Sequence, residues 1–366
     1  MTRWGMVYPR IGRWLGGGLR QIGAPADIVF LEGPKRLTTE GCVQEVRLGV
    51  GHARSALPAL VAYLRERQPA MTLATPGPIG SLAVLAGMIT GCPVVPWVST
   101  IPRLDNRDIS LHLRPHRVLS HPLYSRAALV AAVSGGVRDA LAIELARWVP
   151  SERIVVIPNP VDTEEIQRRA DPQLPRAARL RFCSVGRLVS AKGFDVLIEA
   201  FAVARLDRPW ELLIIGDGPL RPELEQLVRQ RRLEDNVQFR GMVENPYPLM
   251  ASSDIAVQAS RWEGFGMAIV EALSLGVAQI ATECPGGIAE TLGHGDFGLL
   301  VPPGDVQQLA SCLRLLATDD GLRQRLAASG PSRAAEYAPT RVAHIVVQMA
   351  NDIQTKKGAA TNRQRD

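Results

Sequence analysis

At 366 residues the chain exceeds the size at which one hydrophobic core stops growing, so two domains are expected. Hydrophobic residues make up 46% and charged residues 21%, which excludes a largely disordered chain outside the polar tail at 356–366. The formal charge of +6 is uneven: residues 1–165 hold 18 Lys and Arg against 13 Asp and Glu, and the remainder 24 against 23, so an anionic partner is expected for the first half.

The chain opens with Trp4 and Trp14 among Arg3, Arg10 and Arg13, either interfacial anchors or the remains of a helix. Residues 5–8 read as a strand and Gly16-Gly17-Gly18 as a loop. Too few residues then remain before Pro25 for a covering helix, so the first strand–helix unit reads as truncated and one sheet face as uncovered. Strands are expected at 28–31, 46–48, 72–74, 94–97, 117–120 and 129–133, with helices at 56–67 and 80–90. Residues 71–102 carry no charge, but Pro76, Pro78, Pro93 and Pro96 break the run into strand, helix and strand rather than a membrane span. The proline-rich stretch from Ile157 to Asp162 reads as a connector. His112, His116 and His121 lie among Arg114, Arg117 and Arg126, either a solvated basic loop or a segment that faces a lipid-linked acceptor or a membrane surface.

From about residue 180 the alternation is regular. Strands are expected at 180–185, 211–215, 237–239, 255–258, 278–281 and 298–301, with helices at 194–204, 220–231, 267–275 and from 305. Phe194, Leu197, Ile198 and Phe201 fall on one helical face. Alternating strands and helices with short connections imply a parallel, doubly wound α/β sheet that binds ligands at the carboxyl ends of its strands. The expected division is 1–165, 166–340 and a C-terminal helix with polar tail at 341–366.

Three segments carry chemistry. In Glu263-Gly-Phe-Gly-Met-Ala-Ile-Val-Glu271 two carboxylates flank a glycine turn and a helix start, whose free N–H groups suit a phosphate or sugar oxygens. Glu263 is placed to grip a polyol and Glu271 to accept hydrogen bonds from vicinal hydroxyls. A bland reading of the same segment is a capped helix with one solvated glutamate. Ser184-Val-Gly-Arg-Leu-Val-Ser-Ala-Lys-Gly193 follows a strand and offers Arg187 and Lys192 to neutralise a diphosphate, or else forms a solvated basic turn. Ile214-Ile-Gly-Asp-Gly-Pro-Leu220 has no third glycine for a dinucleotide fingerprint and reads as a tight strand-to-helix turn. No Asp-x-Asp pair follows a strand, so no metal or other cofactor is expected, and no nucleic-acid-binding signature occurs. Five scattered cysteines without a Cys-x-x-Cys pair, and no secretory leader pattern, point to the cytoplasm.

In this order, and with Asn159-Pro-Val-Asp162, Val133-Ser134, Asn236-Val-Gln-Phe-Arg-Gly241 and Pro302-Pro-Gly-Asp305, these pieces resemble the family-4 retaining glycosyltransferases. The resemblance runs from about 132 to 303. It implies a GT-B fold, two Rossmann-like domains facing across a cleft, and hexosyl transfer from a nucleotide sugar, UDP-linked by preference. The implied acceptor is a glycan or lipid-linked glycan in cell-surface polysaccharide or glycolipid assembly, reached peripherally at the inner face of the membrane. It also implies that Arg187 and Lys192 hold the donor diphosphate behind Gly186, that Glu263 contacts the transferred sugar, and that the backbone of Gly264, Phe265, Gly266 and Met267 lies against sugar and phosphate. Glu271 would then hold the ribose, and the loop from Gly241 to Val243 would follow the base. Two other readings stand beside it: a GT-B nucleotide-sugar-binding protein impaired in turnover, and a GT-B sugar-nucleotide epimerase.

Overall fold

A computed structural model describes residues 7–30, 36–50, 53–75, 77–105, 120–170 and 179–363. Two compact units result: Met1–Pro160 with Tyr337–Asp366, and Val161–Glu336. The first boundary falls at 160/161 rather than 165/166. The terminal segment belongs to the first unit because its long helix, Pro339–Arg363, packs along the opening helix of that unit.

In the first unit, α1 (Val7–Gln21) precedes β1 (Ala26–Phe30), β2 (Arg36–Glu40) and β3 (Val43–Arg47). The expected strand at 5–8 and glycine loop at 16–18 are corrected here: residues 7–21 form one helix that covers β1 and β3. Glycine is tolerated because side chains would obstruct packing. A Cβ at Gly18 would collide with the Pro339 carbonyl, and one at Gly16 with Ile28. The sheet face expected to lie bare is therefore covered. Trp14 is 3% exposed, with the Arg10 guanidinium 4.8 Å from its ring, so it is a core residue and not a surface anchor. Trp4 and Arg3 lie outside the described residues.

β1 pairs in parallel with β3, and β2 pairs with β3 as an antiparallel hairpin closed at Gly41 and Cys42. The sequence reading missed β2, whose polar Thr-Thr-Glu end has no apolar run. After α2 (Ala53–Arg67), β4 (Thr72–Ala74), α3 (Pro78–Thr90), β5 (Val94–Val98), β6 (Val130–Ala132), α4 (Gly135–Glu144) and β7 (Ile154–Val156), a four-stranded parallel sheet runs β4-β5-β6-β7. The uncharged stretch is thus strand, helix and strand, and among the described residues no helix is long and apolar enough to cross a membrane. Of the strand expected at 117–120, only Ser120 is described, and it opens a helical turn. The basic residues His112, Arg114, His116 and Arg117 lie outside the described residues, while His121 pairs with Glu144 at 3.1 Å.

The second unit opens with α5 (Thr163–Arg169), capped by Asp162. It continues with β8 (Leu180–Val185), α6 (Phe194–Ala204), β9 (Trp210–Ile215), α7 (Arg221–Gln230), β10 (Val237–Gly241) and β11 (Ile255–Gln258). Then follow α8 (Met267–Ser274), β12 (Ala278–Thr282), β13 (Leu299–Val301), α9 (Val306–Thr318) and α10 (Asp320–Ala334). The strands are parallel in the order β10-β9-β8-β11-β12-β13. Every residue of β11 and β12 is buried, Gln258, Gln279 and Thr282 included, as in strands covered on both faces. The core centres on Phe182, Phe201 and Trp210, with Phe201 edge-on to Phe182 at 4.9 Å and stacked on Trp210 at 4.7 Å. The strand order reverses between β8 and β11, which places the switch point of a doubly wound sheet at their carboxyl ends.

The helical glycines of α1 predict opposite effects from neighbouring substitutions. Gly17 has no neighbour near a added Cβ, so Gly17→Ala should stabilise by about 0.5–1 kcal/mol. Gly18→Ala should destabilise by about 1–3 kcal/mol through overpacking against Pro339. Urea unfolding followed by α-helical circular dichroism should separate the two signs.

Candidate functional site

The turn after β8 and the loop after β11 meet at the switch point. Gln258 at the end of β11 donates from Nε2 to the Val185 carbonyl at 3.1 Å, tying the two strand ends together. The turn Ser190–Lys192 is a single 3-10 turn closed by Gly193 at φ 62°. That position requires glycine twice over: the backbone is left-handed, and a Cβ would collide with the Ala259 carbonyl oxygen. The two backbones consequently approach closely, and the Lys192 ammonium reaches the Glu263 carboxylate. This ion pair joins residues 71 positions apart, with side chains 24% and 20% exposed, accessible from solvent but largely enclosed.

Glu263 is held through its backbone. Its N–H donates to the Pro285 carbonyl at 3.1 Å, and its carbonyl accepts from the Gly287 N–H at 3.0 Å. Gly286, at φ 122°, lies against the Glu263 carbonyl, where any Cβ would collide. Cys284 is buried beneath this corner. Burial first, and the Glu263 carboxylate second, push its thiol up to about 12.

Arg261 precedes Glu263 by two residues. Its N–H donates to the Ala191 carbonyl at 2.7 Å, and its Nη1 to the Ser190 carbonyl at 2.8 Å. Nη1 and Nη2 also grip the two Asp195 carboxylate oxygens at 2.8 and 2.5 Å. Burial alone would raise the Asp195 carboxyl, but the hydrogen bonds and charge of Arg261 outweigh it and hold the carboxyl below its ordinary value. A lowered value means that the pair is complete above the ordinary carboxylate range and is lost only as pH falls through the lowered value.

Gly186 follows β8, and a Cβ there would touch the Lys192 stem at 3.6 Å, so the lysine stem lies across it. Arg187 is exposed on the same turn. Gly264, Phe265 and Gly266 are buried, the Phe265 carbonyl accepting from Thr291 Oγ1 at 2.9 Å. Met267 is the first residue of α8, behind Gly266 at φ 89°. Glu271 lies in the second turn of α8 and is 4% exposed, unlike Glu263. Gly241 ends β10, accepting from the Gly216 N–H at 2.9 Å, and Val243 follows, partly exposed. The turn after β9 is as tight as expected, since Gly218 lies against the Leu188 backbone. Arg261, Asp195 and Gly286 went unnoticed in the sequence. Only the acidic Asp195 in the first turn of α6 carried a local signal.

The segment that carries this site is similar to a family of known proteins. Residues 167–333 match the family described as glycosyl transferases group 1. The chain is 31% identical over 222 residues to the N-acetylgalactosamine-N,N'-diacetylbacillosaminyl-diphospho-undecaprenol 4-alpha-N-acetylgalactosaminyltransferase of Campylobacter jejuni, covering 60% of this chain and 59% of that protein. It is 36% identical over 162 residues to the lipopolysaccharide core biosynthesis glycosyltransferase LpsD of Rhizobium meliloti, covering 44% and 46%. The chain thus spans about half the length of these curated relatives. Among solved structures, HepE of Anabaena in complex with UDP is similar at a TM-score of 0.73 and 21% identity, covering 93% of this chain and 96% of that one. The fold is the GT-B one, and residues 167–333 resemble the group 1 glycosyl transferases.

The buried thiol offers a check on the geometry. Cys284 should resist iodoacetamide at about pH 8 in the native protein and react after unfolding, because the neutral thiol is a poor nucleophile. Peptide mass spectrometry reads the difference, and native labelling as fast as that of an exposed thiol would contradict a site built over Cys284.

Proposed function

We propose that this protein is a retaining hexosyltransferase that takes its sugar from a UDP-linked donor and passes it to a glycan or lipid-linked glycan acceptor in cell-surface polysaccharide or glycolipid assembly. The observation that carries the reading is the Lys192–Glu263 pair at the switch point of the second unit, inside the segment that matches the group 1 glycosyl transferases. The UDP in the similar Anabaena structure supports the nucleotide, and the names of the Campylobacter and Rhizobium relatives support the acceptor class.

In this reading Lys192 and Arg187 take the donor diphosphate, where negative charge grows as the bond between the anomeric carbon and the phosphate oxygen breaks. Lys192 has three protons to donate, so it can bind phosphate without releasing Glu263. Glu263 accepts from hydroxyls of the transferred sugar, and its pairing with Lys192 fixes its orientation before the donor arrives. The backbone N–H groups of Gly266 and Met267 at the start of α8 face phosphate oxygens. Glu271 holds the ribose, and Gly241 to Val243 border the base. The acceptor oxygen attacks the anomeric carbon from the face that the diphosphate leaves, and its proton passes to the departing phosphate oxygen. No protein nucleophile is then needed, and the cationic side chains carry the charge stabilisation without a metal. The basic excess of residues 1–165 supports cytoplasmic action with peripheral contact at an anionic membrane surface.

UDP and UDP-hexoses should raise the melting temperature of the full chain, by an amount corresponding to about 2.7 kcal/mol at a hundredfold excess over Kd. Lys192→Met should lower kcat/KM for donor turnover by about 10²–10³-fold, as expected on losing a donor to the developing charge, with its own melting temperature little changed. Failure of UDP, GDP and ADP derivatives alike to stabilise the protein would overturn the reading. Binding without either transfer or slow donor hydrolysis would leave a nucleotide-sugar-binding protein instead.

A further inference from the structure

Lys192 ends a single 3-10 turn of three residues, Ser190–Lys192. Its partner Glu263 stands on a different loop. What registers one against the other is Arg261, which spends its backbone N–H and both terminal guanidinium nitrogens on the segment from Ser190 to Asp195. A guanidinium can grip a carboxylate with two parallel bonds and a carbonyl with a remaining proton, all in one plane. An ammonium offers a point charge and cannot fix that plane. Asp195 has a complementary place: as the second residue of α6, it anchors the fork to a rigid helix rather than to the turn.

We propose that Arg261, braced by Asp195, is a positioning residue. It sets the Lys192 ammonium at the distance and angle from Glu263 that the donor diphosphate needs, and it acts on the reaction only through Lys192. Neither Arg261 nor Asp195 touches the donor. The inference rests on the reading of the preceding section for its catalytic consequence, but the positioning itself is a property of the unliganded protein. The physical ground is that misplacement of a charge-stabilising group by about 1 Å costs about 10²-fold in rate.

The test uses the full chain and Arg261→Lys, which keeps the charge and loses the fork, with Asp195→Asn as a second variant that leaves Arg261 in place. Both should retain the wild-type circular dichroism spectrum. In Arg261→Lys, kcat should fall by about 10–100-fold while KM for the donor changes less than about threefold. The same substitution made in Lys192→Met should cost less than about twofold more, since a residue acting through Lys192 has nothing left to position. Guanidinium ion at millimolar concentration should restore part of the activity of Arg261→Ala and none of that of Lys192→Met. A residue that merely supports the fold would give additive losses and no rescue, and either result would overturn the proposal. One readout needs no activity at all. Acetylation of Lys192 by an N-hydroxysuccinimide ester, followed by mass spectrometry, should be at least about fivefold faster in Arg261→Lys, because the amine is released from Glu263. Equal labelling in the two proteins would refute the positioning role whatever nucleotide the protein binds. Wild-type protein that binds no nucleoside diphosphate, yet shows the labelling difference, would instead sink the donor assignment and leave the positioning intact.

Discussion

The pairing of Lys192 with Glu263 depends on one constraint of parallel sheets, and much of the second unit is arranged around it. A right-handed crossover places each helix on a fixed side of the sheet, so where the strand order reverses, the helices following the two central strands depart to opposite faces. The order β10-β9-β8-β11-β12-β13 puts that reversal between β8 and β11. The chain leaving β8 and the chain leaving β11 therefore open a crevice between them, and groups carried there are left without helix cover. Lys192 and Glu263 occupy that crevice from opposite sides.

Holding a cation and an anion in a partly enclosed crevice requires the backbone beneath them to be firm. The protein supplies this with close backbone approach instead of bulk. Gly193 lets the lysine turn settle on the Ala259 carbonyl, and Gly286 lets the chain after β12 settle on Glu263 itself. The buried Thr282 donates from Oγ1 to the Ser260 carbonyl at 2.5 Å and ties β12 to the same corner. The charged groups are consequently fixed from below by carbonyls and amides that are already satisfied, and their outward faces remain available. Glu271 differs from Glu263 in this respect. Its place in the second turn of α8 buries it, so the two carboxylates of one motif meet different surroundings.

The first unit shows how composition can mislead where packing decides. Three consecutive glycines ordinarily mark a loop, because each costs a helix about 1 kcal/mol relative to alanine. In α1 they sit within a helix, because two of them let it approach β1 and the C-terminal helix more closely than side chains would permit. That helix comes from the other end of the chain, so no window of sequence around residue 17 contains the reason. The edge strand β2 escaped for the opposite cause. Its sequence, Arg-Leu-Thr-Thr-Glu, holds no apolar run, and its existence depends on hairpin pairing with β3.

The sequence alone determined the strands of the second unit to within a residue or two, from β8 at Leu180–Val185 to β13 at Leu299–Val301, together with the long helices between them but not the short ones at Tyr247–Ala251 and Ile288–Thr291. Strands buried on both faces are predominantly apolar runs, and the amphipathic helices between them repeat every 3.6 residues, so both are written locally. It also marked the loops in which Arg187, Lys192 and Glu263 follow a strand and lie beside glycines that permit a tight turn. Only the tertiary structure decided which of these side chains meet. Lys192 finds Glu263, and Arg261 finds Asp195 across 66 positions, because the strand order makes β8 and β11 neighbours. Pairing of that kind is set by the crossovers of the whole sheet, and a local pattern of residues does not encode it.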